Sequence, residues 1–215
     1  MEKLIRHIVS ALDKNLSLTQ DQREVTEYAL YNIFLTTGIL LAVTAGGMLL
    51  GALPEATAAL VTGSVFRWST GGVHCSTPYR CMLVSATLPL IVALISRKAG
   101  TLFLADPGSM ALLPGIILFV LSGVIIYVYA PAETENKRIS PRQRPKLRFW
   151  AYVTLMIWAA AMVLFYRQGK LTLVVASCLG IIWQMLSVAP AGHRMFTRIE
   201  AVFDYLERST RRGGN

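Results

Sequence analysis

Apolar residues along this chain come in long unbroken blocks, and charge is confined to short clusters between them. Nothing ionised lies between Glu27 and Glu55, so 28–54 is long enough to cross a bilayer. Further uncharged runs cover 56–66, 81–96, 107–132, 149–166 and 171–192. A spanning helix needs about 20 residues, within roughly 17 to 25. Four of the runs meet that length directly. Ala56–Phe66 and Cys81–Ser96 fall short, and they flank the most unusual segment of the protein.

At both ends the period changes. Leu4, Ile5, Ile8, Leu12 and Leu16 recur at helical spacing with Lys3, Arg6 and Lys14 off that face, which predicts an amphipathic helix lying on the membrane interface within residues 1–27. After a break at Pro190–Gly192 the design repeats through 193–215. There Phe196, Ile199, Phe203 and Leu206 form one stripe, and Arg194, Arg198, Glu207 and Arg208 occupy the rest. Residues 1–27 hold no continuous apolar core of the kind a cleaved signal peptide carries.

Composition agrees with the pattern: 54% of the 215 residues are hydrophobic and 15% charged, against about 25% charged in an ordinary soluble domain. The expected fold is an all-α integral membrane protein, one membrane domain over 1–215, with about six transmembrane helices between two interfacial ones. If all six runs cross and the N-terminus is cytoplasmic, every one of the 21 Lys and Arg except Arg97, Lys98, Arg167 and Lys170 falls inside. The positive-inside rule asks for that bias, so both termini are expected in the cytoplasm of a multi-pass plasma-membrane protein. An odd number of crossings puts one of the two heavy basic clusters, 137–148 or 194–212, on the wrong side. The net charge of +9 suits anionic lipid headgroups or an acidic peptide. Nucleic acid is not expected, because the chain has no aromatic-basic platform or recognition motif.

The chemistry concentrates in Phe66-Arg67-Trp68-Ser69-Thr70-Gly71-Gly72-Val73-His74-Cys75-Ser76-Thr77-Pro78-Tyr79-Arg80-Cys81, which holds one of the three histidines and two of the three cysteines. A nucleophilic thiol needs a base within hydrogen-bond reach. On a straight helix His74 and Cys81 lie two turns, roughly 10 Å, apart. Thr77 as N-cap and Pro78 at the first helical position break the helix between them, and Cys81 then falls in the first turn of a new helix. Unpaired amides and the dipole stabilise a thiolate there. Gly71-Gly72 allows a tight turn that folds His74 back. Cys75 competes as nucleophile, but it is adjacent to His74 and lacks the helix start. The bland alternative is two packing thiols and an interfacial histidine.

A zinc site from His74, Cys75 and Cys81 lacks a fourth ligand, so neither metal nor cofactor is expected. Arg80 reads as ordinary interfacial anchoring. Arg67 is a candidate for holding the loop or a substrate carboxylate. Cys178 reads as packing within a span, and Gln184 as a bond to a neighbouring helix.

The pattern Arg67-x-x-x-x-Gly72-x-His74, with Cys81 seven residues on, resembles the catalytic segment of the accessory gene regulator B (AgrB) family of quorum-sensing membrane endopeptidases. Ala130-Pro131-Ala132-Glu133-Thr134-Glu135-Asn136-Lys137 resembles a second stretch of that family, after its fourth span. The chain departs from the family pattern at Cys75, where Ala is frequent, and at Arg138, where Pro is common. The resemblance implies a cysteine endopeptidase that cuts an autoinducing-peptide precursor near its C-terminal end at the cytoplasmic face. It implies His74 as base, Cys81 as nucleophile, and Arg67 and Gly72 as supporting positions. A cysteine or serine of the same substrate then closes a thiolactone or lactone ring.

The expected substrate has an amphipathic leader and an acidic C-terminal part, the latter meeting Lys137, Arg138, Arg142 and Arg144. A homodimer is part of the same expectation. Three other readings compete: a non-enzymatic transporter or sensor partner, which leaves the His74–Cys81 segment unexplained; a CAAX-type metalloprotease, which needs Glu and His ligands the spans lack; and a lipid acyltransferase sharing the nucleophile.

Overall fold

A computed structural model describes residues 2–73, 75–105, 112–132 and 139–212. Among them the regular elements are all helices: α1 (Glu2–Leu16), α2 (Gln20–Leu49), α3 (Leu53–Thr70), α4 (Pro78–Ala105), α5 (Leu112–Tyr129), α6 (Arg144–Arg167), α7 (Leu171–Val188) and α8 (Pro190–Arg212). Four are long and apolar enough to cross a membrane, over Gln20–Leu49, Pro78–Gly100, Arg144–Arg167 and Leu171–Val188, and Leu113–Tyr129 is a shorter apolar helix. Their outward side chains, such as Leu41, Ile95, Val120 and Ile157, are apolar and exposed, as a lipid solvent requires.

Two boundaries differ from the sequence reading for one reason: charge ends an apolar run without ending a helix, since Arg, Lys and Glu are good helix formers. The run 56–66 belongs to an 18-residue helix that includes Glu55 and Arg67. The run 81–96 extends into the 28 residues of α4. The interfacial helix also stops at Leu16 instead of continuing to residue 27. Thr19 and Gln22 form a capping box that starts α2, Arg23 pairs with Asp13 across the corner, and Gln20–Glu27 becomes the polar beginning of the first long helix.

α3 is the centre of the bundle, packing against α7, α4, α2 and α6. Its tightest neighbour is α7, where a Cβ on Gly180 would lie 2.9 Å from the Ala59 carbonyl oxygen; small residues let helices approach when no hydrophobic drive separates lipid from protein. One core cluster, built on Phe66, Ile126, Leu155, Trp158, Ile181 and Met185, joins α3, α5, α6 and α7. It lies beneath the α3–α4 turn.

The helix ends sort into two groups. At one end Arg97 of α4 donates to the Leu50 and Gly51 carbonyls of the α2–α3 turn, and Gly100 abuts Thr172 at the start of α7. At the other end the last turn of α3, the first turn of α4, the last residues after α5, the start of α6 and the last turn of α7 converge, with α8 laid against them.

Candidate active site

The α3–α4 turn is made of backbone borrowed from elsewhere. Gly71 has φ +70° and Gly72 φ +139°, conformations that L side chains rarely adopt. Space is lacking as well: a Cβ on Gly71 would meet the Ala132 oxygen at 2.6 Å and one on Gly72 the Ser187 Oγ at 2.6 Å. Gly71 and Ala132 form an isolated parallel bridge. The Ala132 N–H donates to the Thr70 carbonyl at 2.9 Å and the Val73 N–H to the Ser187 carbonyl at 3.1 Å. Ala132, of one stretch that carries the family resemblance, thus touches Thr70 and Gly71 of the other.

Buried Gln184 completes the anchor. Its Nε2 donates to Thr70 Oγ1 at 3.0 Å and to the Gly71 carbonyl at 2.7 Å, the interhelical role its sequence position suggested. Arg148 ties down the other partner by donating from Nε and a terminal nitrogen to the Ala130 carbonyl.

Beyond Val73 the chain reaches the thiols. Thr77 caps α4 as expected: its Oγ1 accepts from the Arg80 N–H at 3.4 Å, and its carbonyl accepts from the Cys81 N–H at 3.1 Å. Cys81 therefore sits at the end of the first turn. Two of the first-turn amides expected to be open are used by the cap, and Pro78 has none. Tyr79 is left as the first-turn N–H that the cap does not employ.

Cys75, Cys81 and Cys178 are half-buried thiols outside any disulfide. The Cys75 S–H donates to Cys81, and this bond, then burial, then negative charge on Cys81 and Glu200 push the Cys75 thiol far up from its ordinary value. Half-buried Arg67 donates to the Val73 carbonyl at 2.5 Å, and its charge acts on both Cys81 and Cys75. One cation and two sulfurs thus share a partly desolvated corner.

Arg80 departs from the interfacial anchoring expected of it. Its side chain is 12% exposed and pairs with Glu200 at 2.5 Å, Asp204 at 2.6 Å and Glu207 at 3.1 Å, while its guanidinium also stacks on Phe203. Glu200 further accepts from the Ser76 N–H at 2.7 Å and the Ser76 Oγ at 2.6 Å. Burial raises the Glu200 carboxyl, but the Ser76 bonds and Arg80 outweigh it and hold the group below the usual carboxylate range. Sequence reasoning missed this contact, although the spacing of Glu200, Asp204 and Glu207 marks an acidic stripe along an otherwise basic helix.

Of the remaining candidates, His74, Lys137 and Arg138 lie outside the described residues. Arg142 and Arg144 are exposed, just before and at the start of α6, at the same end of the bundle as the thiols. A pocket of about 280 Å³ between α1 and α2, lined by Arg6, Arg23, Glu24 and Glu27 among others, contains no thiol.

Comparison with known proteins agrees with the sequence motifs. An AgrB-like protein of Clostridium perfringens strain SM101 is 22% identical over 210 residues, covering 94% of this chain and 97% of the relative. A second, from C. perfringens strain 13, is 21% identical over the same shares. An AgrB-like protein of Clostridium beijerinckii is 27% identical over 99 residues, 45% of this chain and 42% of its own. No solved structure matches the chain. The profile of the family described as Accessory gene regulator B matches residues 5–188, and the chain belongs to that family.

Proposed function

We propose that this protein is a six-span cysteine endopeptidase, with both termini and the thiol segment on the cytoplasmic side, that processes a small quorum-sensing propeptide. Cys81 is the nucleophile and His74 its base, with Arg67 and Gly72 in support. The observation that carries this reading is the corner where Cys75, Cys81 and Arg67 meet at the capped start of α4. Packing thiols have no need of a half-buried cation, whereas a nucleophilic thiolate is stabilised by one.

The chemistry balances without a redox partner. His74 takes the Cys81 proton, and the sulfur attacks the scissile carbonyl carbon. Charge on the oxyanion is met by backbone donors, of which the Tyr79 N–H is the one the cap leaves open. Collapse breaks the C–N bond, the departing amine takes the proton from His74, and a thioester to Cys81 remains. A thiol or hydroxyl of the same substrate then attacks that carbonyl, passes its proton to His74 and expels Cys81. Exchange of one thioester for another is close to isoenergetic, so water must be kept from the intermediate. Lys137, Arg138, Arg142 and Arg144 capture the acidic part of the substrate, and its amphipathic leader lies with anionic lipids on the same interface.

Reconstitution with a candidate propeptide, followed by mass spectrometry, tests the proposal. Cleavage and a thioester adduct are expected from the wild type and from Cys75→Ala, and from neither Cys81→Ala nor His74→Ala. Unchanged processing by Cys81→Ala sinks it.

A further inference from the structure

We infer that Glu200 of α8 is a positioning residue for the Cys75–Cys81 pair, acting through Ser76 on one side and Arg80 on the other. The inference rests on the reading of Cys81 as nucleophile. The family match ends at Val188, before α8 begins at Pro190, so it assigns this helix no part in the site.

Geometry carries the argument. Ser76 follows Cys75 and Arg80 precedes Cys81 in sequence, so each thiol has a neighbour bound to one carboxylate. Glu200 Oε1 accepts from the Ser76 N–H, while Oε2 accepts from the Ser76 Oγ and from Arg80. A carboxylate bonded through both oxygens to two chain segments fixes their separation, and charge-assisted bonds do so more firmly than neutral ones. Asp204 and Glu207, one and two turns further along α8, hold the second arm of the Arg80 guanidinium. Glu200, Asp204 and Glu207 thus present three carboxylates to that one cation, on a helix whose other charged residues, Arg194, Arg198 and Arg208 among them, are basic.

Two consequences follow for the thiols. Holding the 75–77 turn against the start of α4 keeps the Cys75 S–H directed at Cys81. The negative charge of Glu200, and a weaker direct side-chain hydrogen bond to it, also act on Cys75 itself, discouraging its ionisation. Glu200 thereby favours a pair in which Cys75 keeps its proton and Cys81 is the sulfur left to react. Arg67, from α3, places its positive charge near both sulfurs.

The experiment compares wild type, Glu200→Gln and Ser76→Ala in vesicles containing anionic lipid, with two readouts. The first is propeptide turnover: Glu200→Gln is expected to lower kcat by on the order of tenfold to a hundredfold, the scale of a misplaced reacting group, while KM stays within about threefold. Ser76→Ala keeps the backbone bond and is expected to show a smaller fall of the same kind. The second is site-resolved alkylation by a neutral maleimide, which needs no substrate. The share of label on Cys75 relative to Cys81 is expected to rise in Glu200→Gln and, less, in Ser76→Ala.

A fall in kcat without any change in the labelling ratio overturns the positioning role, as does an unchanged kcat in folded Glu200→Gln. If Glu200→Gln does not fold, an unaltered ratio in Ser76→Ala overturns it instead. Processing that survives in Cys81→Ala removes the endopeptidase reading while the labelling ratio still reports on Glu200, so the two failures are distinguishable.

Discussion

Gly71 and Ala132 stand backbone to backbone across a parallel bridge, joining the end of α3 to the residues after α5. The contact leaves no room for a methyl group on Gly71, and its φ of +70° disfavours one in any case. Gly71→Ala is therefore expected to destabilise the α3–α4 turn by about 1–3 kcal/mol, and Gly72→Ala, directed at Ser187, by a similar amount. Gly63 and Gly115 have nothing within 4 Å of a built Cβ, so Gly63→Ala and Gly115→Ala are controls. Thermal unfolding in detergent checks the order, and loss in Gly63→Ala equal to that in Gly71→Ala would contradict it.

Gln184→Leu removes two donors from one buried amide and leaves the Gly71 carbonyl and Thr70 hydroxyl without them. Hydrogen bonds between membrane helices are worth about 0.6 kcal/mol on average and up to about 1.7. The variant is expected to lose about 1–2 kcal/mol of stability and more activity than Cys178→Ala, which alters the same helix away from the turn. Equal activity in the two variants would show that the anchor does not matter to the thiols.

Alkylation should distinguish Cys81 from Cys75 at neutral pH. Cys75 is held protonated by its bond to Cys81, by burial and by nearby negative charge, while Cys81 has the helix start and Arg67. Cys81 is expected to react first with iodoacetamide. In Cys81→Ser, Cys75 loses its sulfur acceptor, and its labelling is expected to change as pH is raised. Peptide mapping by mass spectrometry reads both, and preferential labelling of Cys75 in the wild type would reverse the assignment.

Acid should loosen α8 from the turn. The Glu200 carboxyl titrates below the ordinary value, so its contribution is present above about pH 4.3, the unfolded glutamate value, and is lost as pH falls through the folded one. Arg80, Asp204 and Glu207 share the contact. Hydrogen exchange of the Ser76 amide, followed through the unfolding-free range, is expected to lose protection on acidification. Constant protection across that range would argue against the clasp.

Neutralising Arg142 and Arg144 together with Lys137 and Arg138 is expected to raise KM for the propeptide several-fold and leave kcat of bound substrate nearly unchanged. Equal losses in both would place these cations in folding or chemistry instead of capture.

The bundle was readable from sequence because lipid imposes a blunt rule: apolar blocks must be helical and about as long as the bilayer is thick. The Thr77-Pro78 start of α4 was equally readable, being decided by a local cap. Harder to read were the limits of α3 and α4, where Glu55, Arg67, Arg97 and Lys98 interrupt hydropathy without interrupting the helix. The partners of the turn were hidden for another reason. Ser187, Ala132 and Glu200 meet it only through tertiary backbone and side-chain contacts, which leave no periodicity behind. Glu200 left a trace, three acids at spacings of four and three, but within an amphipathic helix such a stripe reads as part of the polar face.

Ser76 and Glu200 are 124 residues apart in the chain. A contact of that separation closes only after a further 124 residues have followed Ser76, since synthesis proceeds from the N-terminus at about 5–20 residues per second. The turn carrying Cys75 and Cys81 leaves the ribosome well before α8, and it passes through membrane insertion without the carboxylate that fixes it. The contact with Glu200 therefore forms later than the local cap of Thr77 on α4. A nascent chain that ends before α8 carries both sulfurs yet not the contact between Ser76 and Glu200.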